Sequence, residues 1–374
     1  MFYFCREKKC NMKRNMMKHI VMCAVVLFLS CKIMIGQDNG LSSYYLNKNV
    51  ENTYSSRSYL STSIVTSIAQ DDNGMMWFGT KRGLNSFDSY NFEEYNQIDG
   101  IINATITDIQ PVGDTLFIGT ERGLCVYDLK NKRATNFFKE TDSLILPDNY
   151  IHHITKPING RITICTKGGT TVYDLTTKDF RVPKVSNYFP NYEVRSIVYM
   201  PKYDTWWVAT SNGLVSYQDY NQSVRHYYSV EGLNNTLSDS DLRCLFVVDD
   251  DNLFIGSTNG LTLLNIANKE MEVIDLNSLT NYYSSRIDVS EIISVSDEEI
   301  MISTYSDGLY IYNHKRKTAV HISKFDRRYA ISENYIYDIF KDETGSVWIA
   351  TFSGLNRLEN NLTTTISWSV QSRV

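Results

Sequence analysis

His152, Arg195, Arg243, Glu291, Tyr337 and Asp338 are the side chains whose types and placement could do chemistry in this chain. An imidazole exchanges protons near neutral pH, a guanidinium forks onto a carboxylate, and a carboxylate accepts hydrogen bonds from either. They fall in two adjacent columns of a repeated pattern. One column reads Thr66, Thr107, His152, Arg195, Arg243, Ser290, Tyr337, and the next reads Ser67, Asp108, His153, Ser196, Cys244, Glu291, Asp338. Two readings stand: a ring of polar groups at a funnel mouth that holds a polar ligand, and a hydrated channel lined by paired charges.

No motif for enzyme chemistry accompanies them. The chain lacks a Gly-x-Ser-x-Gly elbow, a His-Glu-x-x-His helix, a P-loop and a dinucleotide fingerprint. His152-His153 is the only adjacent pair among six histidines. Neighbours on a strand point to opposite faces, so one metal shared by both is not expected. Neither a metal nor a cofactor is expected, and the chain itself is read as non-catalytic. Asp72-x-Gly74-x-x-Trp77 resembles the Asp box of sialidases, but Asp71 and Asp342, each three residues before a glycine, point to a plain hairpin turn.

The elements that must position these residues repeat seven times, about every 45 residues, marked by Gly83, Gly123, Gly169, Gly213, Gly260, Gly308 and Gly354. Each repeat divides into four short strands. The first has apolar residues at both ends of a four-residue window, as in Val65/Ile68 and Ile336/Ile339. The second ends in a small residue and then Thr or Ser, as in Gly79-Thr80 and Ala350-Thr351. The third follows the marker glycine, and the fourth is weakest, as in Phe92–Tyr95 and Val224–Tyr228. Such runs are too short for helices and rich in β-branched and aromatic residues. Both faces of many strands are apolar, which suits sheets packed between other sheets. The predicted fold is all-β: a seven-bladed β-propeller of four-stranded antiparallel blades. The small column is expected near a crowded axis.

In that architecture the turns between second and third strands share one end with the connections between blades. Long connections are expected at 139–150, 184–193, 229–241, 276–288 and 323–334, and long loops on a rigid scaffold are where binding resides. The variable turn residues Arg82, Arg122, Tyr305 and Asp307 join the candidates, with recognition and unconstrained variation equally open. Trp206 adds a second ring beside Trp207; packing and stacking on a sugar face are its two readings.

Residues 1–36 read as targeting sequence. Lys13, Arg14 and Lys18 precede an uncharged run of 12 residues, Ile20–Cys31, too short for a spanning helix of roughly 20. Cleavage is expected near Gly36–Gln37, with an uncleaved anchor as the alternative. Residues 37–63 form a lead-in that supplies a ring-closing strand through Tyr44–Leu46, unless Thr364–Trp368 completes the last blade instead; the propeller spans 64–368 and a tail 369–374. Residues 37–374 hold 30 Lys/Arg and 41 Asp/Glu, near −11. That balance disfavours nucleic acid, whose binding rests on phosphate neutralisation, and leaves contact with a membrane only to the leader or to a region beyond this chain. Cys125, Cys165 and Cys244 each sit inside a strand and are expected as buried free thiols.

The combined line Asp-x-x-Gly-x-x-Trp-[Phe/Ile]-[Gly/Ala]-Thr-x-x-Gly-Leu-Asn resembles the two-component regulator propeller repeat. Asp71 to Asn85 and Asp342 to Asn356 match it closely, and Leu116–Leu124 and Trp207–Leu214 match its centre. The resemblance implies the periplasmic sensor part of a hybrid two-component regulator of glycan-degrading bacteria, which binds oligosaccharides and controls genes for using them. Typical members carry a second propeller, an immunoglobulin-like domain, a membrane helix, a histidine kinase, a receiver and a DNA-binding domain. This sequence shows one propeller and no kinase motif, so any signalling output is expected to lie elsewhere. Three hypotheses follow: a ligand-sensing propeller, a protein-interaction scaffold, and a propeller glycosidase or lyase. A homodimer stays open in all three.

Overall fold

The computed structural model describes residues 60–102, 105–139, 145–183, 192–280, 282–326 and 331–358. The chain divides into Met1–Ser42 and Ser43–Val374, and every described residue lies in the second unit. The expected leader, the strand at Tyr44–Leu46 and the strand at Thr364–Trp368 lie outside the described residues.

Seven antiparallel sheets follow one another along the chain. Six have four strands in simple up-and-down order, and the seventh shows three among the described residues. The first strands of the blades are Val65–Gln70, Ile106–Val112, Ile151–Ile154, Val194–Met200, Leu242–Val247, Val289–Ser294 and Ile336–Lys341. Each contacts the first strand of the next blade, and the seventh contacts the first, so these innermost strands form a closed ring. The fourth strand begins one residue earlier in blade 4 than the sequence suggests, at Ser223–Tyr227. One helical turn, Leu276–Thr280, interrupts the connection from blade 5 to blade 6.

The repeat columns have physical causes. The Thr or Ser that ends each second strand caps the turn beside it. Thr210 Oγ1 donates to the Gly213 carbonyl at 2.7 Å and accepts the Asn212 N–H at 3.0 Å, and Thr80, Thr120 and Thr351 bond their glycine carbonyls alike. The marker glycine is required: Gly213 has φ +100, and a Cβ there would lie 2.4 Å from the Tyr227 carbonyl oxygen. The small column is crowded both by the innermost strand of its own blade, as where a Cβ on Gly79 would meet Ser67 Oγ at 2.3 Å, and by the neighbouring blade. A Cβ on Gly119 would meet Ile151 Cγ2 at 2.7 Å, and one on Gly256 would meet Val289 Cγ1 at 2.7 Å. Small residues there let adjacent blades close together.

Asp71 organises the first hairpin. Its Oδ1 accepts the N–H groups of Asn73 and Met75, and its Oδ2 accepts the Trp77 indole N–H at 3.0 Å. Asp342 does the same for Thr344, Ser346 and Trp348. The Asp–Gly–Trp spacing is therefore a structural turn. Trp77, Trp207 and Trp348 are buried packing residues.

Asn85 and Asn356 tie down the chain entering their blades. Asn85 Oδ1 accepts from Ser61 Oγ at 2.8 Å, and Asn356 Oδ1 accepts from Ser332 Oγ at 2.9 Å. The ring closes where Gly354 N–H meets the Ser63 carbonyl at 2.6 Å and Phe78 packs on Trp348. Cys125, Cys165 and Cys244 are buried free thiols, as expected.

Candidate functional site

Each innermost strand carries a register shift between its first and third residues, from Val65/Ser67 in blade 1 to Ile336/Asp338 in blade 7. A bulge puts two residues opposite one and breaks the alternation of faces. His152 and His153 therefore both line the same cavity, correcting the expectation of opposite faces. Every member of the two columns except the buried Ser67 lines the cavity for this reason. They enclose a cavity of about 920 Å³.

The inner part of the cavity is acidic and half-buried. Asp108 Oδ2 lies 3.0 Å from His153 Nδ1 and accepts the Ile154 N–H at 2.6 Å. Asp338 Oδ2 accepts the Ile68 N–H at 2.7 Å, and Glu291 Oε1 accepts the Ile292 N–H at 3.0 Å. Burial pushes the Glu291 carboxyl up to about 7, against the opposing pull of the Ile292 N–H and of His153. Burial, then the charges of Glu291 and Asp108, push Asp338 well above the carboxylate range. Burial lowers His153, but the hydrogen bond and charge of Asp108 outweigh it and hold the imidazole above its ordinary pKa.

The wall nearer the mouth carries the two arginines, each held by acids. Arg195 Nη1 donates to Asp241 Oδ1 at 2.6 Å and to the Leu242 carbonyl at 2.9 Å, and its Nη2 lies 3.4 Å from Glu193. His152 Nε2 sits 2.7 Å from Glu193 Oε1, close enough for an ion pair but bent off hydrogen-bond geometry. The contact with His152, followed by Arg195, holds Glu193 down to about 2 against burial. Arg243 forks onto Asp288 at 2.9 and 3.1 Å and lies 5.5 Å from the Tyr305 ring centre. Both arginines are thus paired with acids.

An aromatic wall completes the mouth. Tyr305 and Tyr337 stand 5.2 and 5.0 Å from Tyr335, and Phe352 extends the group at 6.2 Å. Tyr150 packs on His152 at 4.7 Å.

Eight of the eleven sequence candidates line the cavity: His152, Arg195, Arg243, Glu291, Tyr305, Asp307, Tyr337 and Asp338. Arg82 and Arg122 are exposed in their turns, and their chain neighbours Lys81 and Glu121 line the cavity instead. Trp206 is not in the lining; it packs on Tyr199 at 4.8 Å, beside the hairpin at the other end of its strand.

Sequence reading missed the column just before each innermost strand, which includes Tyr150, Glu193, Asp288 and Tyr335. Its signal was present in the repeat. In all seven blades the carbonyl of this residue accepts an N–H from the turn after the second strand, as in Tyr305 N to Asp288 O at 2.9 Å and Phe352 N to Tyr335 O at 3.0 Å. That bond fixes the column at the mouth. Among the described residues, no group of three or more His, Cys, Asp or Glu is placed to hold a metal ion.

Comparison with known proteins agrees with the repeat line. A family model described as two component regulator propeller matches residues 59–82 and 330–353. Over 336 residues the chain is 26% identical to Histidine kinase P4 of Formosa agariphila, which covers 86% of this chain and 20% of that protein. The chain thus spans about a fifth of that relative's length. Among solved structures, the extracellular domain of a putative hybrid two component system from B. thetaiotaomicron superposes with TM-score 0.69 at 24% identity, over 81% of this chain and 41% of that one. The extracellular domain of a putative one component system from the same organism gives 0.64 at 21%, over 80% and 39%. Streptogramin B lyase gives 0.60 at 14%, over 81% and 96%. At these identities the structural likeness is one of fold. Among the described residues no helix is long and apolar enough to cross a membrane.

Proposed function

We propose that this chain is an exported, non-catalytic sensor propeller whose axial cavity takes a short oligosaccharide, with its signalling output carried by a region outside the propeller. One observation carries the reading: a cavity of about 920 Å³ that joins an aromatic wall (Tyr305, Tyr335, Tyr337) to fixed polar groups (Arg195, Arg243, Glu291). Sugars present apolar C–H faces and hydroxyl edges, and this lining offers a partner to each. The repeat match, the histidine kinase relative and the extracellular neighbours support a sensory, cell-surface setting. The signal-like residues 1–36 support export to the periplasm.

The test is a thermal-shift screen of residues 37–374 against host and plant oligosaccharides. A ligand at a hundred times its Kd should stabilise the fold by about 2.7 kcal/mol. Absence of any shift across the panel would overturn glycan sensing. Turnover of a labelled glycan, lost on Glu291→Gln, would overturn the non-catalytic reading.

A second reading, docking of a protein partner, draws on Tyr283 and Phe325, which are 82% and 77% exposed on the connections of the mouth side. A stable partner in a pull-down, with no glycan effect on melting, would favour it.

A further inference from the structure

We infer that the oligosaccharide is held in the cavity by one end and runs outward over blade 7, its later sugar units lying on Tyr335 and Phe352, an inference that rests on the glycan reading above. A cavity of about 920 Å³ falls within the usual range for small-ligand sites, so it holds a few sugar units and a longer glycan must leave it. The seven blades do not offer equal ways out. The first residue of the turn after the second strand is Lys81, Glu121, Lys167, Ser211 and Thr258 in blades 1 to 5. In blades 6 and 7 it is Tyr305 and Phe352, and the ring of Tyr335 stands between them. Charges of both signs at Lys81, Glu121 and Lys167 set no direction for a ligand, whereas aromatic rings confined to two adjacent blades do. Tyr150, before blade 3, packs on His152 and leads to no further ring among the described residues.

The rings form a track that starts inside the cavity and ends outside it. Tyr305 and Tyr337 are half-buried in the lining, and Arg243 lies over Tyr305 at 5.5 Å from the ring centre. Tyr335, 5.2 Å from Tyr305, also lines the cavity but is 40% exposed. Phe352, 6.2 Å from Tyr335, is 48% exposed and lies outside the lining. Each step is close to the length of one hexopyranose in a chain, and the C–H face of a pyranose is apolar enough to lie on such a ring.

Phe352 fills no core, yet its position is fixed. Its N–H donates to the Tyr335 carbonyl at 3.0 Å, so the backbone ties the two ring-bearing residues together. Thr351 Oγ1 caps the same turn, donating to the Gly354 carbonyl at 2.8 Å and accepting the Ser353 N–H at 3.0 Å. An exposed apolar side chain held on a capped turn beside a cavity is a contact surface in place before a ligand arrives, which lowers the ordering cost of binding.

Calorimetric titration of residues 37–374 tests this with the disaccharide, tetrasaccharide and hexasaccharide of four series: cello-, xylo-, malto- and galacturono-oligosaccharides. In a series that binds, the hexasaccharide should bind at least about tenfold more tightly than the disaccharide. Phe352→Ala should weaken the hexasaccharide about three- to tenfold and the disaccharide less than about twofold, and Phe352→Trp should restore the difference. Ser211→Ala, at the equivalent turn of blade 4 and outside the lining, should change neither. Melting temperatures check that each variant folds. Equal affinity at every length, or a loss in Phe352→Ala that is absent or the same at every length, would overturn this inference and leave glycan sensing standing. No binding of any series would overturn glycan sensing itself, and the inference with it.

Discussion

Asp338 in blade 7 accepts the backbone N–H of Ile68 in blade 1 at 2.7 Å, so a half-buried carboxyl bridges the seam where the ring closes. Asp108 makes the equivalent bond to Ile154 between blades 2 and 3. Asp338 and Asp108 thus act first as staples between blades, whereas Glu291 bonds within its own strand, so part of the candidate site is built from groups that join neighbouring blades.

Removing the staple should loosen the seam. Asp338→Ala leaves the Ile68 N–H buried and unpaired, and should cost about 1–3 kcal/mol in chemical denaturation. Asp338→Asn keeps an acceptor and should cost less. Equal losses in the two variants would show that the bond does not carry the closure.

The inner acids should make the fold less stable as pH rises. Glu291 is pushed up from 4.5 to about 7, so the folded state keeps a proton that the unfolded state has released. Stability from this group is fully present below pH 4.5 and is lost between 4.5 and about 7. His153, also raised, acts in the same direction: its contribution is present below its ordinary pKa and lost as pH passes the raised one. The melting temperature of Glu291→Gln should fall less with pH over this window than that of the unaltered chain. A steeper fall would reverse the assigned sign.

Gly213→Ala should destabilise the protein by about 1–3 kcal/mol. The position has φ +100 and the new Cβ would press on the Tyr227 carbonyl oxygen. A melting temperature unchanged by the substitution would mean that the turn can rearrange, and the marker glycine would lose its physical explanation.

Tyr335 is 40% exposed at the mouth, so Tyr335→Ala should leave melting nearly unchanged. Loss of its ring from the aromatic wall should weaken glycan binding by about 0.5–1.5 kcal/mol. Unaltered affinity in titration would remove this ring from the site.

The three thiols should resist a disulfide reagent in the native state. Burial raises Cys125 to about 12 and Cys244 well above its usual range. Residues 37–374 should show no fast-reacting thiol until denaturant is added, and three afterwards.

Blade count, strand order and the turn columns were legible in the sequence because their causes are local and repeated. A Thr three residues before a marker glycine caps its own turn, and the glycine's positive φ is set by that turn. Repetition made even weak strands visible, and Ser223–Tyr227 was found within one residue. The short helix Leu276–Thr280 was missed because a five-residue segment is too short to show an apolar helical period.

By itself, then, the sequence determined the seven blades and the two columns of their innermost strands, since those follow from a local pattern repeated about every 45 residues. Only the tertiary structure decided which way their side chains point and whom they meet. The bulge in each innermost strand overrides simple alternation, bringing His152 and His153 into one cavity. Arg195 and Arg243 find Asp241 and Asp288 more than forty residues away on the next blade, a pairing that exists only once the blades are packed side by side.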